Sequence, residues 1–215
     1  MSTSLDSANN LSSLSLTKEA INEAAATTTY DSQIRRLIDS VSHEFNTKTG
    51  RRLKKRSLTE YFDGNGEGSV TLSEYPIRSS TTGIEVYVVD ARTSFSSDTD
   101  FSSGTKKAAA DVDIRENEGQ VYLRNSVFTR GAQNVKVVYA AGYSTTTSST
   151  DPERIPFDLQ EAVHESIHLR WQRNKGNRVD LRAQATENQS ETYLIEESPY
   201  QIRDTIARYR DSRFA

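Results

Sequence analysis

The sequence predicts an α+β protein. Helices from both ends of the chain would form a helical bundle, with a small antiparallel β-subdomain inserted between them and an extended C-terminal arm after it. Two observations lead to this architecture. Apolar residues recur at helical spacing towards both ends of the chain, and short alternating runs separated by turns fill the middle. The 215 residues suffice for one good-sized domain, or for one core with an insertion.

The composition excludes several classes of protein. Only 34% of the residues are hydrophobic, so we expect a small core and some segments that order only against a partner. The net charge of −3 argues against a general nucleic-acid binder. The absence of cysteine excludes disulfides and thiol chemistry, and it fits a reducing cytoplasm. No apolar run approaches the roughly 18 residues of a membrane span, and we expect no secretory signal.

The N-terminal part of the chain predicts an arm followed by helices. Residues 1–16 are rich in Ser and Asn and are predicted to be a flexible arm, with the main domain spanning residues 17–181. Helical structure is expected over residues 17–50, as a short helix to about Ala26 and then a long one ending at Gly50. The apolar face of the long helix consists of Ile34, Leu37, Ile38, Val41 and Phe45.

The middle of the chain predicts one antiparallel sheet or barrel over residues 56–143, because its strand-like runs are short and evenly spaced. Between Asp90 and Ala110, a polar stretch predicts an exposed loop. The expected strands are Ser57–Phe62, Ser69–Leu72, Ile84–Val89, Val112–Ile114, Gln120–Leu123 and Asn134–Tyr139.

The C-terminal part predicts a second amphipathic helix over residues 156–175, with Pro156 suited to its first turn. The apolar face of this helix consists of Leu159, Ala162, Val163, Ile167 and Trp171. Residues 182–215 follow as a C-terminal arm, polar and without a period at first, which ends in a helix beginning near Pro199.

Six motifs occur along the chain in a recognisable order. They are FNTKTGRRL, LTEYFDGNGEG, VTLSEYPIRS, the strand Gly119–Leu123, the strand Val135–Tyr143 and the helix start Ile155–Ala162. Each motif is weak alone, but together they cover about residues 30–175. In this order they resemble the head-to-tail connector, or adaptor, proteins of tailed bacteriophages.

The resemblance implies a structural virion protein and not an enzyme, with no cofactor. Members of that family form a ring, commonly dodecameric, beneath the portal. The ring extends the DNA channel and presents a docking surface for stopper or tail proteins. The implied partners are therefore the portal protein, further copies of this chain, stopper or tail proteins and the packaged DNA, without a membrane. The implied location is the head-tail connector of the virion, assembled in the host bacterial cytoplasm. We expect the isolated protein to be monomeric or weakly associated, because its arms would order on the portal.

One motif favours a different class of protein, a zinc metallopeptidase. His164, Glu165 and His168 match the H-E-x-x-H pattern, in which two imidazoles one helical turn apart bind zinc and the glutamate is the general base. Glu187 is a possible third ligand. Both histidines, however, fall on the polar flank of the predicted helix. We therefore interpret them as solvated side chains, and His43 likewise as a surface residue.

The dense basic run after the first long helix is a candidate contact for DNA in the channel or for acidic residues of a partner. The alternative is a solvated cluster, favoured by the helix dipole at a C-terminus. The run consists of Arg51, Arg52, Lys54, Lys55 and Arg56.

The C-terminal arm is predicted to be the main attachment to the portal and to lie outside the core of the protomer. Its apolar side chains offer anchors for a groove on a partner, and neighbouring arginines could pair with carboxylates at the rim. A truncation after Leu181 is then expected to stay folded and to lose portal binding. The predicted portal-binding residues are Tyr193, Leu194, Ile195, Tyr200, Ile202, Arg203, Ile206 and Tyr209.

Overall fold

The computed structural model describes residues 9–78, 83–145, 150–175, 183–186, 189–192 and 199–211. The chain divides into two compact units. The helical unit comprises Met1–Lys54 and Thr145–Ala215, and the β unit comprises Lys55–Ser144. The predicted α+β class is confirmed, and the β unit covers the stretch for which a β-subdomain was predicted.

Four α-helices lie in the described part of the helical unit: α1 (Leu14–Ala20), α2 (Asp31–Thr49), α3 (Phe157–Lys175) and α4 (Tyr200–Arg208). The prediction for α2 is confirmed, because Ile34, Ile38, Val41 and Phe45 are all buried. Gly50 ends α2 with a φ of 73°, a left-handed conformation that glycine adopts at low cost. None of the described helices combines the length and apolar character needed to cross a bilayer.

The segment before α2 differs from the prediction. Helix α1 begins at Leu14, not at Thr17, and Ser13 caps it by accepting a hydrogen bond from the Leu16 amide. Leu11 is 1% exposed, and its amide donates to Ser42 Oγ at 3.0 Å. The second half of the predicted flexible arm is therefore packed against α2, while residues 1–8 lie outside the described part of the chain.

Helix α3 has the predicted bounds to within one residue. Its residues Leu159, Val163 and Ile167 are fully buried. Trp171 packs its ring edge-on against Tyr30, with 5.4 Å between the ring centroids. Further along the chain, where no periodic structure was predicted, β7 (Ala183–Thr186) pairs antiparallel with β8 (Gln189–Thr192).

The β unit contains two three-stranded antiparallel sheets, not the single sheet or barrel that was predicted. All six expected strands are present; Gln120–Leu123 has the predicted bounds, and the other five have shifted ends. One sheet has the order β1 (Arg56–Gly64), β6 (Gly131–Ala141) and β3 (Glu85–Val88). The other has the order β2 (Ser69–Thr71), β5 (Gln120–Leu123) and β4 (Val112–Arg115). Both sheets contribute to one apolar core, which includes Val86, Val121, Val135, Val137 and Tyr139.

A buried asparagine connects backbone groups at one end of the first sheet by hydrogen bonds. Asn134 is 0% exposed. Its Oδ1 accepts from the Gly64 amide at 2.8 Å, and its Nδ2 donates to the carbonyls of Val89 at 2.8 Å and Thr129 at 2.7 Å. Gly64 is required beside it, because a Cβ there would lie 1.7 Å from the Thr129 oxygen. One side chain thus satisfies three backbone groups at the end of the sheet.

Candidate interaction surfaces

A groove with a volume of about 520 Å³ lies between α1 and α3 of the helical unit. Glu19 of α1 lines it together with Glu161, His164, Glu165 and His168 of α3. The three residues of the H-E-x-x-H motif therefore share one groove with the carboxylates of Glu19 and Glu161.

His164 is buried, contrary to the prediction of a solvated side chain. It is 8% exposed, and its Nε2 lies 2.9 Å from Ser12 Oγ. Burial lowers the pKa of His164 below its usual value, although the nearby charges of Glu161 and Glu19 oppose that shift. The helical periodicity placed His164 on the polar flank of α3 correctly, but the N-terminal segment covers that flank.

The geometry gives no support to a zinc site. The Nε2 atoms of the two histidines have separate partners, since that of His168 lies 2.9 Å from Gln172 Nε2. In the described part of the chain, no group of three or more His, Cys, Asp or Glu residues is arranged to hold a metal ion. Glu187, the possible third ligand, lies outside the described residues. His43 is exposed, as predicted.

The basic run after α2 is divided between the two units. Arg51 is 8% exposed, so its side chain is not part of an open cationic surface. Arg52 is exposed, and Lys54 is half-buried. In the β unit, Lys55 is half-buried, and Arg56 forms an ion pair with Glu74 at 2.6 Å. Of the five predicted residues, Arg52 is the fully exposed one.

The last helix is part of the helical unit, which corrects the prediction of an arm outside the core. Ile202 is 2% exposed and Ile206 is 7% exposed. Hydrogen bonds also fix the end of α4 to the rest of the helical unit. The Tyr209 hydroxyl donates to Asp158 Oδ1 at 2.7 Å, and the Asp211 amide donates to the Thr49 carbonyl at 2.9 Å.

Burial within the chain removes two of the predicted portal anchors. Ile202 and Ile206 are covered by their own protomer, so they are not available to a partner. Tyr200 is 73% exposed, and Arg203 is also exposed. The remaining anchors Tyr193, Leu194 and Ile195 lie outside the described residues.

A cluster that the sequence did not reveal organises the polar stretch after β3. Asp98 accepts hydrogen bonds from the Tyr61 hydroxyl at 2.7 Å and from Lys136 Nζ at 2.8 Å. These bonds lower the pKa of Asp98 and raise that of Lys136. The Arg92 side chain is 2% exposed and lies over the Tyr61 and Phe101 rings, about 5 Å from their centroids. The predicted exposed loop is therefore anchored on the β1–β6–β3 sheet.

Comparison with known proteins identifies the fold. No protein-family profile matches the chain, and no curated protein matches it. Solved structures do match. A chain in the virion of the native gene transfer agent (GTA) particle has a TM-score of 0.54 at 15% identity, covering 92% of this chain and 88% of that chain.

Two neck structures match this chain with similar TM-scores and sequence identities. A chain in the neck of the empty GTA particle, computed with C6 symmetry, has a TM-score of 0.53 at 14% identity over 92% of this chain and 88% of that one. A chain in the neck of the native particle, computed with C12 symmetry, has a TM-score of 0.52 at 14% identity over 94% and 93%. The resemblance to connector proteins is thus confirmed at the level of the fold.

Proposed function

We propose that this protein is a head-to-tail adaptor: a non-enzymatic structural protein that forms a ring under the portal of a phage-like particle. The observation that carries the proposal is the fold, which the chain shares over more than nine-tenths of its length with chains from particle necks. The ordered series of connector motifs over about residues 30–175 supports it independently.

A twelve-membered ring is the assembly that we propose. It agrees with the C12 symmetry of one neck structure and with the dodecamers that the sequence resemblance implies. In that role the ring extends the DNA channel, offers a docking surface to stopper or tail proteins, and is located in the virion. Arg52, exposed at the end of α2, is our candidate for contact with the DNA or with an acidic partner.

We propose the exposed side of α4, marked by Tyr200 and Arg203, as part of the portal attachment, together with the segment that contains Tyr193, Leu194 and Ile195. A tyrosine and an arginine side by side are the residue types enriched at the centres of protein interfaces. Because the buried side chains of Ile202 and Ile206 already hold α4 in place, binding through this surface would lose little conformational entropy from ordering the helix.

Co-sedimentation with the purified portal protein tests the proposal. The wild-type chain should sediment with the portal, and the variant Tyr200→Ala/Arg203→Glu should bind more weakly while keeping its circular dichroism spectrum. The matched control is Gln201→Ala, an exposed change on the same helix, which should bind normally. A wild-type chain that does not bind the portal would contradict the adaptor function, whereas normal binding by the double variant would contradict only this attachment surface.

A further inference from the structure

We propose that the groove between α1 and α3 of one copy receives the exposed face of α2 of the next copy, here defined by Arg35, Arg36 and His43. The two arginines would enter among the three glutamates of the groove. The proposal rests on the proposed ring, because a ring needs two different surfaces on each copy that fit one another.

The groove carries three carboxylates that no described residue of the chain neutralises by an ion pair. Within the described ranges, the carboxylates of Glu19, Glu161 and Glu165 have neither a hydrogen-bond partner nor an ion-pair partner. His164 adds little positive charge at neutral pH, since its pKa lies below the ordinary value of 6.5. Half-buried Leu16 and Ala20 complete the wall on the α1 side. Three unpaired carboxylates beside an apolar wall suit an occupant with cations on long aliphatic stems.

The exposed face of α2 carries such cations. Arg35 and Arg36 are both exposed, and neither has a hydrogen-bond or ion-pair partner among the residues that the structure describes. Other cations of the same unit are engaged within the chain: Lys18 pairs with Asp31 at 2.6 Å, Arg170 with Glu44, Lys175 with Glu23, and Arg208 with Asp158 at 3.1 Å. The two arginines are therefore available for a partner.

The two surfaces lie on different helices, and each is turned away from the apolar core of the helical unit. On α2, Ile34 faces the core, and Arg36 lies two residues later, roughly 200° around the helix. On α3, Val163 and Ile167 face the core, and the glutamates two residues before each of them lie roughly 160° away. The acidic and basic surfaces are thus two separate surfaces, each on the side of its helix away from the shared core. Such a pair favours a head-to-tail contact over a two-fold one, in which a surface would meet itself.

The chemistry of the contact predicts its strength. Arginine can donate two parallel hydrogen bonds to one carboxylate, which fixes the geometry of the contact as well as its sign. Ion pairs at a solvated surface are individually weak and are screened by salt. A single contact of this kind would leave the free protein weakly associated, in agreement with the expectation from its composition. Many copies held at once on the portal would then close the ring.

Cysteine cross-linking tests the contact directly, because the natural chain contains no cysteine. The double variant Arg36→Cys/Glu165→Cys, treated with a short bis-maleimide, should give a ladder of multimers. Each single variant alone should stay monomeric, and an equal mixture of the two should stop at dimers. The control pair Gln201→Cys/Glu165→Cys, with an exposed position on α4, should give no ladder.

Charge reversal provides the second arm of the test. Arg35→Glu/Arg36→Glu and Glu161→Arg/Glu165→Arg should each lose the rings seen on the portal by electron microscopy. Their equal mixture should regain them, since every contact in an alternating ring again joins opposite charges. Self-cross-linking of a single-cysteine variant, or a mixture that stays disassembled, would overturn the inference. Wild-type rings without the ladder would place the contact elsewhere and leave the adaptor function standing. If the wild-type chain forms no ring at all, both proposals fail.

Discussion

The substitution Ile202→Ala tests whether the last helix belongs to the folded core. Ile202 is 2% exposed within the helical unit, so truncation to alanine removes three buried carbons. Substitutions of this kind cost about 2–5 kcal/mol. For a chain of this size, each kcal/mol lowers the melting temperature by about 2–4 °C. We therefore expect a melting temperature lower by roughly 4–20 °C, with the middle of that range as the central expectation.

The assay is thermal unfolding followed by the helical circular dichroism signal, which reports on the helical unit more than on the β unit. Tyr200→Ala, two residues before Ile202 and 73% exposed, is the matched control and should change stability by less than about 0.5 kcal/mol. Equal effects of the two substitutions would refute the packing of α4. The same reasoning reverses the expectation for a truncation after Leu181, which should now destabilise the helical unit.

Three further predictions concern other parts of the chain. Asn134→Ala should destabilise the β unit by at least about 2 kcal/mol in denaturant unfolding, because three backbone groups lose their partner. Burial lowers the pKa of His164, so below about pH 6.5 the folded state binds fewer protons than the unfolded state. The free energy of unfolding of the wild type should therefore fall as the pH drops below about 6.5. The fall should be smaller in His164→Gln. Asp98→Asn should speed limited proteolysis between residues 91 and 110, because asparagine has no charge to pair with Lys136 and one acceptor oxygen fewer for Tyr61 and Lys136.

Each of these predictions has a matched control at an exposed residue of the same type. Asn125→Ala, His43→Gln and Asp90→Asn should behave like the wild-type chain in the three assays. A stability loss below about 0.5 kcal/mol for Asn134→Ala would argue against the buried network. Identical pH profiles for His164→Gln and the wild type would contradict the burial of His164. An unchanged cleavage rate for Asp98→Asn would mean that other contacts hold the segment.

The parts of the fold predicted from the sequence are those that local patterns determine. Helix α2 was predicted because four buried apolar residues share one face and Gly50 ends it, and both features lie within the segment itself. Strands of the β unit were predicted from their alternation, which also depends only on neighbouring residues. The division into two sheets was missed, because the partner of each strand is set by contacts far along the chain.

The errors share a physical cause. Leu11 lies in a stretch rich in Ser and Asn, and its burial depends on a distant contact, because its amide bonds to Ser42, 31 residues away. Tyr209 was predicted to be an interface residue because no partner for it is evident nearby in the sequence. Its hydrogen-bond partner, Asp158, is 51 residues away. The same applies to His164, which is covered by Ser12 from 152 residues away. Periodicity shows which face of an element is apolar, but it does not show which other segment covers the polar flank.

Electron microscopy of the wild-type protein mixed with its portal tests the central claim most directly. We predict a closed ring beneath the portal, twelve-fold in symmetry, in which each copy shows the helical unit and the β unit described above. Reversing the charges of Arg35 and Arg36 should remove that ring from the images. A portal that shows no added ring at saturating protein would contradict the account.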